Sequence, residues 1–329
     1  EHIIPPVGNG FQELENWLNQ HNEWCFGHFG YDLKNETEAL HSGNIDHQEF
    51  DDLHFFIPQW VITLAGNYLT IYADADHEIE ELWETVSIQN VTTYYKKRQA
   101  INLRFQNELN KDAYVTRVNS LINHIIEGNV YEINFCQDFY TTNHQVDPFH
   151  LFQTLMDVSP TPFACFYRYN DKYVISASME RFLKKSQHKL ISQPIKGTIK
   201  RGNTPKEDVQ LKEKLRQDPK ERAENVMIVD LVRNDLAKSA MPGTVEVDEL
   251  FGIYPFPTVH QMISTVSAEV AEGVTPVQAI KNAFPMGSMT GAPKVSAMQL
   301  IEKHETFKRG IFSGAIGYFT PWRDFDFNV

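Results

Sequence analysis

The order of strand-like and helix-like segments limits the folds that this chain of 329 residues can adopt. Residues 163–169 and 173–178 alternate in the manner of strands and bracket a turn at Asn170-Asp171, which predicts an antiparallel hairpin. Residues 189–195 follow as a third strand without an intervening helix. Strands that follow one another in groups, with helices between the groups, favour an α+β fold over a doubly wound parallel sheet.

Apolar residues at helical spacing predict helices in several of the remaining stretches. The clearest helix has Tyr114, Val118 and Leu121 on one face, and Gly128 supplies its end. Predicted helices cover residues 11–18, 78–86, 114–126, 219–232, 276–284 and 293–304. Further strands are predicted at residues 60–72, which turn back at Gly66, and at 130–140, 245–251 and 311–319.

The sequence predicts one continuous domain over residues 1–329. It contains no repeat of solenoid period and no Gly/Ser-rich or Pro-rich linker. An apolar stretch at residues 55–66 is interrupted by Pro58 and Gln59 and falls short of the roughly 20 residues of a membrane span. The first residues lack the basic flank and apolar stretch of a signal peptide, so a cytoplasmic location is expected.

Charge and cysteine usage argue against two classes of function. The chain has 43 acidic and 30 basic side chains, a net charge of −13, which argues against a broad nucleic-acid surface. An anionic ligand would therefore need a locally basic site. Cys25, Cys136 and Cys165 are far apart and odd in number, which argues against a disulfide framework and a thiolate zinc site.

Two short segments place ionisable side chains at predicted strand ends. In QPIKGT, Lys196 stands beside Gly197, which allows a ligand to approach the backbone closely. In SASMERF, Glu180 stands beside Arg181. Taken alone, each has an ordinary interpretation, a solvated lysine before a turn and a weak surface ion pair.

Two further segments could bind charged groups. On a helix, Glu221 and Glu224 lie one turn apart on one face and could offer oxygen ligands to a hard cation. The glycine-containing loop at residues 287–294 leads into a helix, whose free amides attract carboxylates or phosphates. Helix capping explains the same residues, so the coexistence of all four segments is what favours a functional site.

The chain resembles the chorismate-binding enzymes, a family that includes anthranilate synthase component I, aminodeoxychorismate synthase component I, and the isochorismate and salicylate synthases. The resemblance covers residues 114–329. It rests on GNVYEINFCQ (128–137), SASMERF (176–182), PIKGTIKRG (194–202), ERAENVMIVDLVRNDL (221–236), VHQMIS (259–264), FPMGSMTGAPK (284–294) and RGIFSGAIGYF (309–319). It implies an α+β fold of αββα layers, in which two large antiparallel sheets flanked by helices surround the active site.

Within this family, the lysine of PIKGT resembles aminodeoxychorismate synthases, whereas anthranilate synthases usually have alanine there. The resemblance implies that chorismate and ammonia give 4-amino-4-deoxychorismate, on the route to p-aminobenzoate and folate. A separate glutamine amidotransferase subunit would supply the ammonia, since this chain has no recognisable glutaminase nucleophile motif. The alternatives are anthranilate synthase component I and a non-catalytic subunit that binds chorismate or tryptophan.

The resemblance also assigns catalytic and metal-binding roles. Lys196 would attack the chorismate ring as the C4 hydroxyl leaves, and ammonia would then displace it at C4. An amine in a dry pocket loses its proton more readily, so this role is physically reasonable. Glu180 matches the general acid and base, His260 the active-site histidine, and Glu224 a ligand of Mg²⁺, which would neutralise the substrate carboxylate.

Further positions match residues that bind small molecules in the family. The substrate-binding matches are Gly197, Thr198 and Tyr318. The segment that contacts tryptophan in tryptophan-responsive members corresponds to Pro162, Phe163 and Ala164.

The sequence departs from the family pattern in three places. Met179 replaces a proline before the acid. Glu132 stands where aminating members usually have glutamine and isochorismate-forming members have lysine, so attack by water lacks its usual base. Family members carry a substrate-binding arginine, a glycine-rich loop and a second magnesium-binding glutamate in a segment that would follow Val329.

Overall fold

The computed structural model describes residues 1–73, 76–88 and 103–329. Its α-helices are α1 Gly10–Gln20, α2 Lys34–Thr37, α3 Asp76–Ile88, α4 Lys111–Ile126, α5 Pro148–Val158, α6 Pro205–Gln217, α7 Pro219–Ala237, α8 Pro276–Ala283 and α9 Lys294–His304. Its strands are β1 His2–Ile3, β2 Cys25–Phe29, β3 Leu53–Phe56, β4 Val61–Ala65, β5 Tyr68–Tyr72, β6 Glu132–Ile133, β7 Phe163–Tyr169, β8 Lys172–Ser178, β9 Arg181–Ser186, β10 Lys189–Gln193, β11 Ile195–Lys200, β12 Glu246–Pro255, β13 Val259–Glu269, β14 Gly291–Ala292, β15 Ala315–Phe319 and β16 Phe325–Asn328.

Local capping explains where several helices begin. The Asp218 side chain accepts hydrogen bonds from the amides of Lys220 and Glu221 at 2.9 and 3.1 Å, and Pro219 occupies the first position of α7. The helices predicted from apolar spacing form as α1, α3, α4, α7, α8 and α9. Helices α2, α5 and α6 were not predicted. In α6 the only fully buried side chain is that of Leu215, so its sequence shows no apolar stripe.

The predicted α+β class is confirmed by a ten-stranded antiparallel sheet. Nine strands follow the order β1-β3-β2-β15-β16-β9-β10-β13-β11, and β12 pairs with β13. Strand β13 therefore pairs with β10, β11 and β12. The predicted hairpin of residues 163–178 forms as β7 and β8, with Asn170 at φ 55° in its turn.

The second large sheet of the predicted layers is not found among the described residues. There the remaining strands make three two-stranded sheets, β4-β5, β7-β8 and β6-β14. The strand predicted at 130–140 is limited to β6 because the backbone beyond it bonds elsewhere. The amide of Asn134 donates to the Thr290 carbonyl at 2.8 Å, and the amide of Cys136 donates to the Glu305 carboxylate at 2.9 Å.

The main core lies between the large sheet and helices α1, α7 and α8. Aromatic rings from distant parts of the chain meet there, and Phe29 lies 5.0 Å from Phe55 and 5.2 Å from Phe327 between ring centroids. Cys25, Cys136 and Cys165 are free. No helix in the described ranges is long and apolar enough to cross a membrane.

Candidate active site

A cavity of about 640 Å³ opens beside the ends of β8 and β11. Strand β8 and the residues that follow it form one wall, and residues 195–198 of β11 form another. The loop before β14 and residues 311–316 complete its lining. Among the described lining residues, Glu180 and Lys196 are the charged ones, so the structure brings these two predicted catalytic residues together.

A bulge in β11 directs Lys196 and Thr198 into this cavity. The pairing register with β13 shifts between Ile195 and Thr198, and Gly197 has a φ of +105°. A Cβ at Gly197 would lie 3.2 Å from the Glu221 carboxylate, so both the backbone angle and the space favour glycine. The Lys196 carbonyl accepts a hydrogen bond from the Asn225 side chain at 3.2 Å, which fixes the backbone of the predicted nucleophile.

Glu180 follows β8 and borders the cavity. Burial raises the pKa of its carboxyl group to about 7, against the opposing effects of the Ser288 hydroxyl, the Ile195 amide and the Lys196 charge. The Ile195 amide lies 3.4 Å from Glu180 Oε1. A carboxyl group with this pKa is partly protonated at neutral pH and can donate a proton to a leaving group.

The ammonium group of Lys196 forms an ion pair with Glu132 of β6. Both side chains are largely buried, with exposed fractions of 23% for Lys196 and 13% for Glu132. The residue that departs from the family pattern therefore contacts the predicted nucleophile directly.

His260 and Gln261 lie on opposite faces of β13, and it is Gln261 that lines the cavity. The Thr198 hydroxyl donates to Gln261 Oε1 at 2.6 Å. His260 is buried against α6, where its Nε2 lies 3.0 Å from Asp208 Oδ1. His260, predicted as the active-site histidine, is therefore not among the residues that line the cavity.

Glu221 and Glu224 lie on one face of α7, as their spacing predicted. The ammonium of Lys220 lies 3.5 Å from the Glu221 carboxylate and 2.8 Å from that of Glu224. The negative charges of the Glu221 and Glu224 carboxylates together attract a positive charge at this position. Glu224 does not line the cavity, but Glu221 lies against Gly197 at the cavity wall.

Tyr318, a predicted substrate-binding residue, also lies outside the cavity lining. Its ring packs 5.6 Å from that of Trp24 and 5.7 Å from that of Phe26.

The segment matched to an effector site lies at a neighbouring cavity of about 310 Å³. Pro162 and Phe163 line this second cavity, whereas Ala164 does not, and the Arg181 guanidinium lies 4.9 Å from the centroid of the Phe163 ring. Met179 contributes to both cavities. The tryptophan prediction therefore concerns a cavity next to the one that holds Lys196.

Some cavity residues were not given individual roles from the sequence. Gln261, Ser288 and Met289 all contribute to the lining. Alternation within VHQMIS could have separated Gln261 from His260. Ser288 and Met289 lie in the loop that Lys294 anchors by donating to the Asp235 carboxylate at 2.5 Å and to the Pro285 carbonyl at 2.8 Å.

A family model described as chorismate binding enzyme matches residues 8–329. The chain belongs to the chorismate-binding enzymes. This family identity confirms the resemblance that the seven motifs indicated, and it extends the match from residues 114–329 back to residue 8.

Several curated proteins are similar to this chorismate-binding enzyme. Aminodeoxychorismate synthase component 1 of Klebsiella aerogenes is 32% identical over 93% of this chain and 67% of its own length. The probable chloroplastic aminodeoxychorismate synthase of Oryza sativa is 33% identical over 92% of this chain, and aminodeoxychorismate synthase of Streptomyces griseus is 44% identical over 64%. The chain spans only 38% and 29% of the lengths of these last two relatives.

Solved structures share the fold. Anthranilate synthase component I from Streptococcus pneumoniae superposes with a TM-score of 0.82 at 25% identity, covering 93% of this chain and 70% of that one. The menaquinone-specific isochorismate synthase MenF from Escherichia coli superposes with a TM-score of 0.73 at 16% identity, covering all of this chain and 73% of that one.

Proposed function

We propose that this chain catalyses the amination of chorismate to 4-amino-4-deoxychorismate, a precursor of p-aminobenzoate and folate. The observation that carries this proposal is the placement of Lys196 and Glu180 on one cavity. A binding module has no need of an amine nucleophile beside a carboxyl group whose pKa is raised to about 7. The relatives named aminodeoxychorismate synthase support the same choice.

The two residues divide the chemistry between them. The Lys196 amine would bond to the ring while Glu180 gives its proton to the departing C4 hydroxyl, which leaves as water. Ammonia would then displace the lysine at C4. A covalent intermediate of this kind replaces one difficult substitution by two easier ones.

Anthranilate synthase component I is the second candidate. The superposition with the Streptococcus pneumoniae protein favours it, since the two chains share the fold at a TM-score of 0.82. Lys196 argues for the first candidate, because a lysine at this position is the feature that separates the two activities within the family.

A magnesium ion and a partner subunit are part of the proposal. Glu224, together with Glu221, would supply carboxylate ligands to Mg²⁺. The ion would neutralise the substrate carboxylate. The designation component 1 of the Klebsiella aerogenes relative supports a second component, which we propose is a glutamine amidotransferase that supplies ammonia.

Product analysis tests the proposed function. The protein is incubated with chorismate, Mg²⁺ and ammonium, and products are separated by chromatography and identified by mass. We expect 4-amino-4-deoxychorismate from the wild type and loss of this product in Lys196→Ala. Formation of anthranilate and pyruvate would instead establish the second candidate.

A further inference from the structure

The carboxylate of Glu132 has an unusual set of contacts. One oxygen, Oε1, forms the ion pair with Lys196. The other, Oε2, is buried and has no hydrogen-bond partner among the residues that the structure describes. Buried carboxylate oxygens are normally satisfied by donors, so an unpaired one calls for an explanation.

Backbone pairing holds Glu132 at this position. Strand β6 pairs with β14, and the Tyr131 amide donates to the Ala292 carbonyl at 2.7 Å. Gly291 allows the close approach, since a Cβ there would lie 2.2 Å from the Glu132 carbonyl oxygen. The carboxylate therefore reaches Lys196 from a fixed backbone.

We propose that Glu132 is the proton acceptor that converts the Lys196 ammonium into the nucleophilic amine. This inference rests on the proposed function. An ammonium group has no lone pair with which to attack, and Glu132 is the carboxylate in direct contact with it. Transfer of a proton from the Lys196 ammonium to the Glu132 carboxylate gives a neutral acid and the neutral amine that can attack.

Glu132 offers its carboxylate to Lys196 with few competing donors. It is paired with Lys196 through one oxygen, and the other oxygen has no hydrogen-bond partner among the described residues. Among the described residues, Glu180 lines the same cavity as Lys196, and Glu221 of α7 lies against Gly197. Glu180 is needed as the acid for the leaving hydroxyl, so the two carboxyl groups have separate tasks.

The protons balance over a full cycle. Lys196 first passes a proton to Glu132. The lysine amine then bonds to the ring as the C4–O bond breaks. Glu180 protonates the leaving oxygen, which departs as water. Ammonia next forms the C4–N bond as the bond to Lys196 breaks, and the lysine leaves as a neutral amine. The new C4 ammonium gives a proton to Glu180, and Glu132 returns its proton to Lys196.

Glu132→Gln tests this step, because an amide of the same shape can accept a hydrogen bond but cannot take the proton. We expect the ammonia-dependent rate near pH 7 to fall on the order of a hundredfold. Hydroxide must then remove the lysine proton, so the ratio of the variant rate to the wild-type rate should rise about tenfold per pH unit. Comparing both proteins at the same pH and free-ammonia concentration cancels the titration of Glu180 and of ammonium.

Two further variants act as controls. Glu132→Asp keeps a carboxylate and should restore part of the activity with the wild-type pH dependence. Glu127→Gln changes an exposed glutamate just before β6 and should leave rate and pH dependence unchanged. The unfolding temperature of each variant is measured by circular dichroism, so that a folding defect is recognised.

The outcomes separate this inference from the proposed function. A Glu132→Gln variant with the wild-type rate, or with a reduced rate whose ratio to wild type does not change with pH, overturns the role of Glu132 as acceptor. A wild-type protein that makes no aminated product overturns the proposed function and, with it, the proton transfer.

Discussion

At the scale of single residues, the protonation of Glu180 sets the expected pH dependence. Its raised pKa of about 7 means that the carboxylic acid is the main form below pH 7 and the carboxylate above it. A general acid must carry its proton, so the wild-type rate, corrected for free ammonia, should fall as pH rises through 7.

Glu180→Gln cannot donate a proton, so its turnover should be lower than that of the wild type by on the order of a hundredfold or more. The decline of the rate through pH 7 should also be absent from this variant. Initial rates between pH 5.5 and 9 would measure both effects, and a Gln variant with near-native turnover and the same decline would mean that another group is the acid.

The sequence predicted Lys196 and Glu180 as site residues from their residue types within motifs, and both line one cavity. It did not identify the direction in which a strand residue points. His260 and Gln261 are adjacent in VHQMIS, and the pairing of β13 with β11 places Gln261 opposite Thr198 while His260 contacts Asp208. Register depends on long-range pairing, which a local pattern does not contain.

At the scale of secondary-structure elements, the predictions succeeded where residues near an element's boundary mark its start. Helix α7 was predicted because Asp218 and Pro219 mark its start. Strand β13 was missed because it is buried on both faces, with sheet neighbours and helices around it, so its residues do not alternate between apolar and polar. Helix α6 was missed for the opposite reason, since most of its surface is solvated.

Helix α7 also carries the prediction on magnesium. Glu224→Gln replaces a charged ligand oxygen by a neutral amide, so the concentration of Mg²⁺ required for half-maximal activity should rise about tenfold or more, with the fold intact. The side chain is only partly buried, and the substitution keeps its shape. Activity is titrated with MgCl₂, and Asp230→Asn, an exposed position on the same helix, is the matched control. An unchanged Mg²⁺ titration of Glu224→Gln would remove this residue from the proposed metal site.

At the scale of the whole molecule, contacts between distant segments shape the site and are hidden from local patterns. Strand β2 pairs with β15 across nearly the full length of the chain. Arg309 similarly donates to the carbonyl of Asn134 at 2.8 Å and to that of Met289 at 2.7 Å. It thereby ties the backbone that follows Glu132 to the loop that lines the cavity.

The buried pair of Arg309 and Glu305 provides the last prediction. Both side chains are 1% exposed, and the guanidinium donates from Nε and Nη2 to the two carboxylate oxygens at 2.8 and 2.6 Å. Glu305→Ala leaves a buried guanidinium without its counter-ion, which should lower the free energy of unfolding by about 3–5 kcal/mol. The matched control is Asp230→Ala, which removes an exposed ion pair with Arg233 and should cost below about 1 kcal/mol. Urea unfolding followed by circular dichroism compares the two variants, and equal losses of stability would show that the Arg309–Glu305 pair contributes no more than a surface ion pair.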